Sequence, residues 1–227
     1  PISPASYFYW RLNEHHKIRA LRYPLEAAVD RMKLATFENC RNTAVTMVEV
    51  ADWSEFVLHL ADLPKVPADK FSKLNSTPAI SPAIYEPGAT RLDANVRGWS
   101  SWMGIDIDND LIVTPIDEAE EVMRALDLPY VIYTTTKATE AKPRYRVLFE
   151  ISRPLAVAEI KIAWTAMAAY FGGLGPDPAC KDLSRLYMAP AIWLPGRVGQ
   201  PDANLAPLND FRFSLTGTPL DIEIGRA

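Results

Sequence analysis

Asp106 and Asp108 stand two residues apart in Trp102-Met-Gly-Ile-Asp-Ile-Asp108, and this spacing could do chemistry. Side chains alternate across a strand, so the two acids share one face while Ile105 and Ile107 share the other. Carboxylates about 6.5–7 Å apart along a strand repel each other unless a cation lies between them. Hard divalent cations such as Mg²⁺ or Mn²⁺ take oxygen ligands. They need only one or two carboxylates when substrate phosphates complete the shell. The same Asp-x-Asp also describes a strand end running into a solvated turn, which Asn109 and Asp110 would continue.

Cations follow at strand spacing. In Arg144-Tyr-Arg146-Val-Leu-Phe-Glu-Ile151, residues Tyr145, Val147, Phe149 and Ile151 form an apolar stripe, which turns Arg144 and Arg146 to the opposite face. Between Lys137 and Arg153 five cations (Lys137, Lys142, Arg144, Arg146, Arg153) face two anions (Glu140, Glu150). Guanidinium forks beside a dicarboxylate suit a triphosphate whose oxygens a metal bridges. Exposed ion pairing that contributes little is the plain alternative. Ser184-Arg-Leu-Tyr187 puts Arg185 and Tyr187 on one face, and Asp177 or Asp182, just ahead, could reach the same metals. Trp99, Tyr133 and Tyr187 could stack a base if exposed, and are otherwise core.

The elements that must position these groups read most clearly from Trp102 onward. Strands are expected over Trp102–Asp108, Tyr130–Thr135, Tyr145–Ile151 and Leu186–Ile192. Helices are expected over Pro115–Leu126 and over Val157–Phe171, the latter ended by Gly172-Gly173. Strand, helix, strand, strand, helix, strand is the order of an α+β, split βαβ sheet of the RRM or ferredoxin-like kind. In it the first and third strands lie together at the centre, with the acids and arginines on the open face. One further strand is expected at Phe211–Leu215. Before this module, spacing predicts a helix over Leu25–Phe37, a strand over Thr43–Val50 and a helix over Ser54–Leu63 capped by Asp52 or Ser54. Residues 63–87 read as a long surface loop. The domain reading is an N-terminal α/β extension, 1–98, packed on a catalytic module, 99–227.

Composition narrows the classes. About half of the 227 residues are apolar and a tenth aromatic, as in a globular chain. No run of eighteen apolar residues predicts a membrane span. Pro1-Ile-Ser-Pro lacks a signal-peptide layout, and a start without Met reads as a processed or trimmed chain. Cys40 and Cys180 offer no disulfide framework, and with His15, His16 and His59 they show no zinc spacing, so a reducing cytoplasm is expected. A net charge of −4 argues against gripping duplex nucleic acid by charge alone, though not against a local basic groove.

Taken in order, Gly104-Ile-Asp-Ile-Asp-Asn109, Tyr133-Thr-Thr-Thr-Lys-Ala-Thr139, Lys142-Pro-Arg-Tyr-Arg-Val147 with Ser152-Arg-Pro154, and Asp177-Pro-Ala-Cys-Lys-Asp-Leu-Ser-Arg-Leu-Tyr187 resemble the archaeo-eukaryotic primase superfamily. The likeness is greatest to its bacterial, phage and plasmid primase-polymerases and covers roughly Trp99 to Pro195. The resemblance implies a nucleotidyltransferase, a primase or DNA polymerase, that transfers nucleotides from NTP or dNTP to a 3′-hydroxyl on a single-stranded DNA template. It implies two Mg²⁺ or Mn²⁺ ions held by Asp106, Asp108 and a third acid, which maps onto Asp177 in preference to Asp182. Lys137, Arg144, Arg146 and Arg185 would hold the triphosphate. Implied partners are template, primer and a helicase domain or protein, in replication of a plasmid, phage or similar element. The chain departs from the family's Ser-x-His motif: Ala138 stands where a nucleotide-contacting His is expected, as a natural loss or as a replacement.

Two rival readings remain. The same sheet could grip single-stranded nucleic acid without chemistry. A relaxase-type initiator would need a His-hydrophobe-His pair and a nucleophilic Tyr, whereas His15 and His16 are adjacent.

Overall fold

The computed structural model describes residues 31–63, 67–69, 72–110, 113–195 and 206–222. His15, His16 and residues 25–30 of the expected first helix lie outside them. The fold is mixed α/β with antiparallel sheets.

The first described element is a strand, β1 (Met32–Phe37), with β2 (Thr46–Val50) antiparallel beside it. The helix expected over Leu25–Phe37 is therefore corrected at its C-terminal half. Leu34 and Ala35 are both buried, so β1 is covered on both faces and shows no clean alternation to separate it from a helix. Helix α1 (Trp53–Asp62) forms as expected. The Asp52 carboxylate accepts the Glu55 amide at 2.9 Å, and Trp53, Phe56, Val57, Leu60 and Ala61 make one buried face.

Residues 63–87 are not simply a loop. They hold a single helical turn, α2 (Lys73–Ser76), and two three-residue strands, β3 (Ala79–Ser81) and β4 (Ala83–Tyr85). Pro78 and Pro82 punctuate these strands so closely that no periodicity survives in the sequence.

After β5 (Val96–Trp99) come β6 (Trp102–Ile107), α3 (Ile116–Ala125), β7 (Tyr130–Thr134), β8 (Tyr145–Glu150), β9 (Leu155–Ala156) and α4 (Val157–Tyr170). Two more strands follow, β10 (Tyr187–Met188) and β11 (Phe211–Ser214). One four-stranded sheet runs β11-β7-β8-β6, a second β10-β3-β1-β2, and β4-β5-β9 form a smaller third.

The topology corrects three expectations. The strand expected over Leu186–Ile192 is only two residues long, and it pairs with β3 rather than joining the sheet of β6. Although β6 lies beside β8 as expected, it is an edge strand of its ladder. Pro176 and Asp177 cover its outer edge, the Asp177 amide donating to the Asp106 carbonyl at 2.8 Å. The face carrying the acids is not open at its inner end, because every residue of β6 is buried. Tyr187 closes against it: its hydroxyl donates to the Gly104 carbonyl at 2.7 Å. Only a glycine permits this approach, since a Cβ at position 104 would lie 2.6 Å from Leu148 and 3.1 Å from the Tyr187 ring.

Among the described residues no helix is long and apolar enough to cross a membrane.

Candidate active site

The site is a ladder of cross-strand rows on one face of the β7-β8-β6 sheet, graded from core to solvent. The innermost row is apolar, with Gly104 opposite Leu148 and Leu148 opposite Val131. Next come Asp106, Arg146 and Tyr133, again in direct register. Two residues further on, Asp108 meets Arg144, and beyond the strand end Asp110 meets Lys142 and Arg144. Side-chain exposure rises along the acids, from 12% at Asp106 to 45% at Asp108 and 59% at Asp110. The period of two that puts them on one face also carries them outward from the core.

Asp106 is fully engaged. Arg146 Nε donates to its Oδ1 at 2.5 Å and Arg185 Nη2 to its Oδ2 at 2.8 Å, while the Cys180 thiol lies 3.6 Å from Oδ2. Burial works against the charge, but Arg146 and Arg185 outweigh it and hold the carboxyl below the ordinary carboxylate range. Burial, followed by the charge of Asp106, pushes the Cys180 thiol up to about 12, so it stays protonated.

Arg146 ties the two larger sheets together. Its Nη1 donates to the Met188 carbonyl of β10 at 2.7 Å and to the Tyr133 hydroxyl at 3.2 Å. Its guanidinium carbon lies 4.7 Å from the Tyr187 ring centre and 5.5 Å from that of Tyr133. Arg185 stacks on the other sequence-predicted aromatic contact, Tyr187, at 5.2 Å. Trp99, Tyr133 and Tyr187 are all buried, as core residues rather than exposed stacking platforms, and the two tyrosines stack arginines.

The outer rows are looser. Arg144 Nη1 donates to Asp108 Oδ1 at 2.9 Å, and its other nitrogen reaches Asp110. Lys142 donates to Asp110 at 2.6 Å, and that bond holds the Asp110 carboxyl below its usual range. Lys137 is exposed in the turn between β7 and β8, whereas neighbouring Ala138 is 1% exposed, its carbonyl accepting the Leu208 amide at 2.8 Å. Asp177 is half-buried and bonded through its backbone to Asp106, while Asp182 is exposed, its carbonyl accepting the Arg185 amide.

Sequence reasoning missed Lys73. It lies in the stretch read as loop, yet its Nζ donates to Thr136 Oγ1 at 3.2 Å, beside the predicted Lys137. Only the closing of the N-terminal strands over the sheet brings it there.

Carboxylate oxygens are the donors a hard cation takes, and Asp106 and Asp108 supply them. Among the described residues no three His, Cys, Asp or Glu side chains gather into a metal-holding group.

No family model matches the chain, and no curated protein does. Among solved structures, the archaeo-eukaryotic primase (AEP) domain PP-N190 of the cyanophage S-2L primase-polymerase (PrimPol) is similar at 14% identity over 93% of each chain, with a TM-score of 0.38.

Proposed function

We propose that the chain is the catalytic module of a primase-polymerase, a DNA-dependent nucleotidyltransferase that extends a 3′-hydroxyl on a single-stranded template from NTP or dNTP. The observation that carries this reading is the graded row of Asp106, Asp108 and Asp110 interlocked with Arg146, Arg185, Arg144 and Lys142. In the same reading β6, α3, β7 and β8 are the core of an RRM-like split βαβ sheet, with β8 between β6 and β7, and residues 1–98 are an extension packed on module 99–227.

Asp106 and Asp108, with Asp177 beside them, would hold Mg²⁺ or Mn²⁺, which when bound neutralises phosphate charge and favours in-line displacement. Arg144, partly buried and forked between two carboxylates, turns to phosphate oxygens when a triphosphate competes for it. Arg185 shares Asp106 with Arg146 and can leave it without stranding that charge. Arg146 stays: buried and stacked between two tyrosines, it fixes the orientation of Asp106 rather than meeting substrate.

A non-catalytic single-strand binder on this sheet would need exposed aromatics on the face. Trp99, Tyr133 and Tyr187 are buried, which disfavours that alternative.

Asp108 is the clean test because it is half-exposed. Asp108→Ala should leave the fold intact and reduce Mn²⁺- or Mg²⁺-dependent incorporation on primed single-stranded DNA at least about a hundredfold. Incorporation at the wild-type rate by the folded variant would sink the proposal.

A further inference from the structure

The β6-β8 ladder ends at the pair Ile107 and Tyr145, yet its register runs on through side chains. Asp108 meets Arg144, Asn109 meets Pro143 and Asp110 meets Lys142, each the next step of the same antiparallel order. Two ionic rows thus flank a neutral one that is buried, with Asn109 5% exposed and Pro143 buried beside it. Pro143 has no N–H to carry the ladder further, and the Asn109 side chain supplies the link. Its Nδ2 donates to the Pro143 carbonyl and, at 3.0 Å, to the Thr114 carbonyl, while its Oδ1 accepts the Thr114 amide at 2.9 Å. Thr114 is held from a second side, its carbonyl also accepting the Tyr145 hydroxyl at 3.1 Å. Asn109 adopts a left-handed backbone, φ 52°, which asparagine tolerates better than most residues. This bend lies between two acids that converge on one guanidinium: Arg144 Nη1 donates to Asp108 at 2.9 Å and its Nη2 to Asp110.

The forces that hold Asp108 can be ranked. Ion pairs with solvent-exposed members contribute little, and Asp108 and Asp110 are 45% and 59% exposed. A buried amide bridge is costly to break, because its partners are then stranded away from water. The bridge therefore fixes the backbone at Asp108 more firmly than the Arg144 pair fixes its carboxylate. We propose that Asn109 is a positioning residue, which through Thr114 and Pro143 holds Asp108 where a divalent ion meets it. This deepens the proposed function and rests on it for the role of Asp108 as a metal ligand. With both amide hydrogens spent, Asn109 acts through its neighbours rather than on ion or substrate. When a triphosphate draws Arg144 away, the bridge stays and Asp108 keeps its place.

The test is Mn²⁺ titration of the full chain, read by the paramagnetic resonance of the free ion and, separately, by the rate of primer extension. Asn109→Gly accepts the same φ and loses the bridge alone. Its half-saturating Mn²⁺ should rise about tenfold in both readouts, as expected for a ligand whose backbone must be ordered on binding. The kcat at saturating Mn²⁺ should fall less. A merely structural role would instead lower kcat through the folded fraction and leave half-saturation where it was. Arg212→Ala, on β11 at the opposite edge of the sheet, should keep the wild-type half-saturation. A thermal melt checks folding, and Asn109→Ser repeats the measurements if Asn109→Gly fails to fold. Wild-type half-saturation in the folded variant overturns the positioning role. If wild type incorporates nothing, an Asn109-dependent Mn²⁺ affinity by resonance retains the role and sinks the polymerase reading alone. Incorporation whose half-saturating Mn²⁺ ignores Asn109 does the reverse. A wild type that neither binds Mn²⁺ nor incorporates overturns both.

Discussion

Two ionic clusters flank the β11-β7-β8-β6 sheet, and they are built on opposite plans. Around Arg212, two cations meet three acids. Arg212 binds Glu120 at 2.8 Å, Asp210 at 2.8 Å and Asp117 at 2.5 Å, while Arg124 and the Tyr130 hydroxyl hold the other Glu120 oxygen at 2.7 and 2.8 Å. Burial works to raise the Glu120 pKa, but the bond from Arg212 and its neighbours keeps it below the ordinary range. Every member is matched, and the cluster pins β11 to α3. Around Asp106 and Asp108 the count reverses. Among the described residues, Lys73, Lys137, Lys142, Arg144, Arg146 and Arg185 outnumber Asp106, Asp108 and Asp110, even with Asp177 added at the edge. A cluster whose groups are all paired can serve the fold alone, whereas perturbed acids beside surplus cations mark a candidate site.

The contrast can be broken most forcefully at Asp106. Asp106→Ala would leave the buried Arg146 without its carboxylate, at a cost of about 3–5 kcal/mol. Urea unfolding measures it, and a loss below about 1 kcal/mol would mean that the inner pair behaves as a surface one. Loss of activity in this variant would therefore mix instability with chemistry, which Asp108→Ala avoids.

Arg212→Ala sharpens the comparison from the other side. Three acids lose their shared partner, and stability should fall by about 1–3 kcal/mol, with metal-dependent incorporation by the folded variant unchanged. A drop in incorporation would show the two clusters to be coupled.

The smallest effect is expected at Glu150, an acid with neither plan. It sits at the end of β8, where burial, followed by the nearby Asp52 charge, raises its pKa to about 7. The folded protein thus holds a proton that the unfolded chain releases near its ordinary 4.5. The associated stability is full below that value and is lost as pH rises through about 7. Glu150→Gln should melt higher than wild type at pH 8, with the difference shrinking toward pH 5. A difference independent of pH would contradict the assignment.

Much of the site was legible because strand periodicity is local. Once Ile105, Ile107, Tyr145 and Val147 were assigned inward, Asp106, Asp108, Arg144 and Arg146 had to share the other face. What covers that face was not legible. Met32–Phe37 is too short and too evenly buried to separate period two from 3.6, and Ala79–Ser81 is a three-residue strand next to prolines. That cover leaves Arg146, Tyr133 and Tyr187 buried, with the tyrosine rings against guanidiniums, and brings Lys73 to Thr136.

Gly104 carries a consequence beyond its own strand. With hydrogen as its side chain, it lets the Tyr187 ring settle flush against β6, and the faces of that ring form the floor on which both Arg146 and Arg185 lie. The distance between the site's innermost acid and its two guanidiniums is thus calibrated by an atom that is missing. Any methyl group there would lift the floor, so the most uneventful residue in the motif acts as the shim that sets its electrostatics.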